Sequence, residues 1–153
     1  MIMASNLQIY LSIAKDSLAK SDRISAAQTR PKPNGEKGSI ITYDFKHKSF
    51  KHSLVAIVFA GIYLEAFLYI KGVKLLGKAA YDKIDFKTYE EKLKVLKITD
   101  PHLLDTCKRF RIARKELVHD KPFQQSEVRF AQIEARKAID LIDRITHLLT
   151  DNP

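Results

Sequence analysis

The sequence predicts an all-α fold, an up-and-down bundle of four main helices with one short extra helix. Three observations carry this. Apolar residues recur at the helical period in four separated stretches. Helix-start signals stand where the patterns begin, at Thr88-Tyr89-Glu90-Glu91 and at Asp100-Pro101. No strand alternation of comparable strength and no internal repeat interrupts them, so helix on helix is the architecture left.

The first helix is expected from about Ser5 to Gln28, with Leu7, Tyr10, Leu11, Ala14, Leu18 and Ile24 as a narrow apolar stripe. Pro31, Pro33, Gly35 and Gly38 then break the helical pattern and predict an exposed loop, part of a Pro/Gly-rich basic segment at about 29–50. Ile40, Ile41, Tyr43 and Phe45 are expected to cover part of the core in extended form. The run from Leu54 to Ile70 is apolar nearly all round, as a helix surrounded by others should be. It also reaches the lower length limit of a membrane span. Glu65 inside the run and basic residues on both flanks argue for a buried core helix instead.

A carboxylate in such a helix needs a cation or hydrogen-bond donors, and Arg114 is the natural partner. Were the pair fully buried, Glu65→Ala would cost roughly 3 to 5 kcal/mol. Asp82 to Lys87 reads as a connection. The Thr88…Glu91 capping box opens a short helix through about Leu96, and Asp100 caps the next from Pro101 to about His119. Pro122 disfavours helix at Lys121, which sets the end. Ser126 is expected to cap a last helix carrying Val128, Ala135, Ala138, Ile142, Ile145 and Leu149.

The 153 residues suit one domain, and 45 % hydrophobic with 29 % charged residues is ordinary globular composition. Against 18 Asp and Glu stand 27 Lys and Arg, and the net charge of +9 points towards an anionic partner such as RNA. Cys107 is the only cysteine, which excludes an intrachain disulfide and Cys-x-x-Cys metal sites and points to a reducing cytoplasm. The first ten residues have no basic segment followed by an apolar run, so no secretory signal is expected.

The chemistry concentrates at the end of the helix before Pro122. Leu103, Cys107, Phe110, Arg114 and Leu117 share one stripe, which puts a guanidinium where the pattern asks for an apolar residue. His119 stands about 140° from Arg114 on an ideal helix, so the two converge only if the helix ends between them or a second chain contributes. Arg and His together suit phosphodiester chemistry. Imidazole exchanges a proton near neutral pH with a ribose 2′-hydroxyl or a leaving oxygen, and guanidinium binds phosphate oxygens. Arg111, about 60° from Arg114, could add a phosphate contact at the cleft rim.

Arg114-Lys115-Glu116-Leu117-Val118-His119 is similar to the motif of the HEPN superfamily, an Arg followed after four to six residues by a His late in a helical bundle. Phe59-Ala60-Gly61-Ile62-Tyr63-Leu64-Glu65-Ala66-Phe67 resembles the apolar second helix with an embedded Glu found in such proteins, and the helical order of most of the chain fits. The resemblance implies a four- to five-helix HEPN-like bundle that dimerises so that both motifs line one cleft. In many members this is a metal-independent endoribonuclease acting as a toxin or in antiviral defence, without a cofactor. It assigns catalysis to Arg114 and His119; the basic Arg111, Lys115 and Lys121 near them are expected to contact RNA phosphates, with Glu65 in support. It also implies RNA, a second copy of the chain and an antitoxin as partners. Lys115 replaces the Asn or Asp that many members carry after the Arg, and Lys121 stands where partner-silenced toxins carry a Tyr, so control by nucleotide transfer onto that residue is not expected. Other members are inactive modules that bind a protein, nucleotide or RNA, which is the alternative.

The remaining candidates have simpler readings. Cys107 is expected as a small buried core residue. His47, His52, His102 and His147 lack metal-ligand spacing and are read as surface or capping residues. Asp140 and Asp143 form a solvated face.

Overall fold

Helical periodicity becomes six α-helices in the computed structural model, which describes residues 2–42, 44, 46–119 and 130–151, with the backbone alone at 2–5 and 119. They are α1 (Ile2–Ala27), α2 (Lys48–Leu76), α3 (Lys78–Asp82), α4 (Tyr89–Val95), α5 (Pro101–His119) and α6 (Ala131–Asp151). The protein is an all-α bundle. Its four long helices are the four expected; the short ones number two, because the chain makes an extra turn, α3, before the connection at 83–88.

Helix α2 lies at the centre, packing most extensively on α1 and next on α6. It is longer at both ends than its apolar run, since polar residues continue a helix where solvent receives them. By length and composition alone it could cross a membrane. Its residues Ala56, Ile57, Ala60, Tyr63, Leu64 and Leu68 join a core with Ala14, Leu93, Leu103, Cys107, Ile142 and Ile145. The close approach of α1 and α2 is set by small residues: the Ser21 hydroxyl shares a hydrogen bond with Ser53 at 2.8 Å and donates to the Ser49 carbonyl at 2.9 Å. Asp44 fixes the start of α2 by accepting from the Ser49 amide at 2.9 Å, satisfying a donor that helix geometry leaves unpaired.

Both expected caps form. Thr88 and Glu91 exchange their capping-box bonds, and Asp100 accepts from the His102 amide at 3.0 Å while its other oxygen takes Arg144 of α6 at 2.6 Å. The Pro/Gly segment folds differently from the expected loop. Strands β1 (Thr29–Pro31) and β2 (Ser39–Ile41) pair antiparallel, with Arg30 opposite Ile40. Ile41 is 73 % exposed, so it does not cover the core; the strand pairs locally and turns that side chain outward. Tyr43, Phe45, Ser126 and Val128 lie outside the described residues. In α6, Ala135, Ala138, Ile142, Ile145 and Leu149 are buried as their period predicts, while Asp140 and Asp143 are exposed and Asp143 pairs with Lys15 at 2.8 Å.

Candidate functional site

The seam between α2, α4 and α5 gathers the polar groups around Arg114. Its stripe-mates Leu103, Cys107 and Phe110 are buried, which pulls the Arg114 stem inward at the apolar position it occupies. The side chain then runs across α2 where Gly61 offers no Cβ. A Cβ there would stand 2.5 Å from Nε and 2.7 Å from Cζ of Arg114. Glu65, one turn further along α2, meets the guanidinium head: Nη1 donates to Glu65 Oε1 at 3.0 Å.

Tyr89, the first residue of α4, completes the arrangement. Its hydroxyl donates to the same Glu65 oxygen at 2.7 Å and accepts from Arg114 Nη1 at 2.9 Å. Three groups from three helices thus close a ring of hydrogen bonds. Burial of the Tyr89 ring, first, and the bond to Glu65, second, push its hydroxyl well above the ordinary tyrosine range, so it stays a protonated donor. The ring stacks on Phe110 with centroids 6.2 Å apart, which fixes its direction.

The pair is less buried than a core helix implies. The Glu65 side chain is 51 % exposed and that of Arg114 28 %, so the pair sits at the edge of the bundle and the large cost expected for a fully buried ion pair does not apply. Arg111 is engaged as well. Its Nη2 and Nε donate to Glu90 at 2.8 and 3.2 Å, a link between α4 and α5 in which Glu90 already takes the edge expected to bind phosphate. Lys115 is exposed on α5. Lys121 and the His119 side chain lie outside the described residues.

The backbone of α5 is helical through His119, so the helix does not end between Arg114 and His119. On such a helix the two are separated by about 7.5 Å along the axis and about 140° around it. Within one chain, the two positions diverge around the helix axis.

Cys107 is fully buried, and burial pushes its thiol up to about 12, so it is a core residue and not a nucleophile. His147 pairs with Asp151 at 2.9 Å on the surface of α6. Among the described residues no three His, Cys, Asp or Glu side chains gather as a metal site requires.

Two residues that shape the site carry little sequence signal of their role. Gly61 is visible only as the small residue in a bulky apolar run, and Tyr89 only as the neighbour of the capping Thr88. Comparison of the chain with family models, with characterised proteins and with solved structures finds no match in any of the three.

Proposed function

We propose that the chain is a metal-independent endoribonuclease of the HEPN type, with Arg114 and His119 as its catalytic residues and RNA as its substrate. The observation that carries this reading is the preorganisation of Arg114. A guanidinium seated on Gly61 and held through Nη1 by Glu65 and Tyr89 keeps its position without reorganising when charge develops on a phosphate. A flexible surface arginine needs no such slot.

In this reading His119 takes the proton of a ribose 2′-hydroxyl, whose oxygen attacks the adjacent phosphorus. The bond from phosphorus to the 5′-oxygen breaks, and a second imidazole returns a proton to that oxygen. Products are a cyclic 2′,3′-phosphate and a free 5′-hydroxyl. One chain has one His119, so the second comes from a two-fold partner, and that geometry also brings an Arg114 to each His119. Lys115 and Lys121 would hold the RNA backbone, with Arg111 contributing once Glu90 yields its edge. Such an enzyme would act in the cytoplasm as a toxin or defence protein and need an antitoxin to restrain it.

The alternative is an inactive HEPN module that docks a protein, nucleotide or RNA. It is favoured by the same ring of bonds, because Glu65 already neutralises the charge Arg114 would bring to phosphate. Incubation of the purified chain with mixed RNA in EDTA, beside His119→Ala, separates the two. Cleavage by the parent alone selects the enzyme; intact RNA in both selects the module.

A further inference from the structure

A cavity of about 410 Å³ opens beside the Arg114 ring, lined by Glu65, Tyr69, Asp85, Lys87, Tyr89 and Lys92. Glu65 and Tyr89 belong to both. Two carboxylates face two ammonium groups, so the cavity has no net charge with which to gather a phosphate. It offers hydrogen-bond acceptors and donors together, between phenol rings, which is the chemistry of a polar heterocycle.

Lys92 is its least ordinary wall. The side chain is only 7 % exposed, Asp85 accepts one of its three N–H groups at 3.1 Å, and the ammonium lies 5.7 Å from the centre of the Tyr81 ring. Tyr81 is itself buried, and its hydroxyl has no hydrogen-bond partner among the described residues. A buried ammonium with donors to spare is completed by an incoming carbonyl oxygen. Tyr69 stands edge-on to Tyr81 at 5.5 Å, a ring already fixed in place.

We propose that this cavity reads a nucleobase by its lactam edge, with guanine preferred. Glu65 Oε1 serves Tyr89 and Arg114, and Oε2 takes the ring N–H and exocyclic amine of the base. Lys92 donates to the adjacent carbonyl oxygen, and Tyr69 stacks on the ring. Adenine has no carbonyl to meet Lys92. Cytosine presents an unprotonated ring nitrogen that repels the carboxylate, and uracil has the lactam but lacks the exocyclic amine. The assignment rests on the ribonuclease reading for its placement of the base beside the bond that is cut.

Equilibrium dialysis of the full chain against the 5′-monophosphates of guanosine, uridine, adenosine and cytidine tests it. Guanosine monophosphate should bind about tenfold tighter than the adenosine and cytidine compounds; Lys92→Met should remove that advantage, and Tyr69→Ala should weaken all four compounds alike, since every base offers a ring face to stack. If Lys92→Met does not fold, Glu65→Ala, a change at a half-exposed side chain that removes the acceptor of the ring N–H, decides alone. Equal binding of all four compounds, or a guanosine preference intact in the deciding variant, overturns the proposal. Guanosine preference without RNA cleavage keeps the cavity and removes the ribonuclease. Cleavage with no fixed guanine beside the cut bond does the reverse.

Discussion

Gly61 and Arg114 fit together as slot and occupant: the guanidinium stem crosses α2 where a glycine Cβ would stand, at one of several inward positions that carry small residues, Ser53, Ala56, Ala60 and Gly72 among them. Gly61→Ala therefore removes the slot without touching a charged group. The clash falls on the end of a flexible side chain, so Arg114 swings out and the fold persists, helped by up to about 1 kcal/mol of better helix propensity. The expected outcome is a thermal midpoint within a few degrees of the parent and RNA cleavage lower by about a hundredfold, the scale of losing one charge-stabilising donor. Parent-level cleavage by Gly61→Ala would show that the slot does not position Arg114 for catalysis.

Glu65→Ala should cost about 1 to 2 kcal/mol, since the pair it breaks is partly solvated and Arg114 keeps its bond to Tyr89. Tyr89→Phe, which keeps the ring on Phe110, should cost about 1 kcal/mol. Because both act through one ring of bonds, the double variant should lose less than the sum. Urea melts of the three variants measure this, and strict additivity would mean that the three groups are not coupled.

The thiol of Cys107 should be silent in the folded protein. Moving its pKa from 9.0 to about 12 lowers the thiolate fraction about a thousandfold at mildly alkaline pH, and full burial adds a steric block. An aromatic disulfide reagent should label the urea-unfolded chain completely and the native chain only at the rate of its opening. Rapid native labelling would place Cys107 at the surface.

Acid should loosen two helix starts. The Glu91 carboxyl is held below its usual range chiefly by the Thr88 amide, and that of Asp44 chiefly by the Ser49 amide. In each case the unfolded chain takes up a proton first as pH falls, so the contribution is complete above the ordinary values of 4.5 and 3.8 and is lost as pH drops through the lower folded values. Thermal midpoints of the parent should fall steeply below about pH 4, and less steeply in Glu91→Gln with Asp44→Asn. An unchanged acid slope in that double variant would assign the loss to other groups.

A defective chain should silence its partner if the site spans two copies. Parent co-refolded with an equal amount of His119→Ala should keep about a quarter of the cleavage of the same total of parent chain, because about a quarter of the dimers then hold two imidazoles in one cleft. About half of that cleavage, in mixtures shown to contain mixed dimers, would place the whole site in one chain.

Much of the bundle was decided by local sequence. The helical period of α6, the capping box at Thr88 and the Asp100-Pro101 start each use groups a few residues apart, so they form whatever else the chain does. The Arg114 position was legible for the same reason, as a cation on an apolar stripe that Glu65 could answer. Tertiary structure decided what the stripe could not say. Whether Glu65 is buried depends on how far α5 covers α2, and it proved half exposed. Arg111 met Glu90, 21 residues earlier on another helix, and Tyr89 entered the ring of bonds because α4 packs beside α2. Likewise Ile41 looked like core until β1 and β2 paired and turned it to solvent. Hydrogen-bond rings, slots and exposure are set by the distance between elements, and a linear pattern records only the face on which each residue lies.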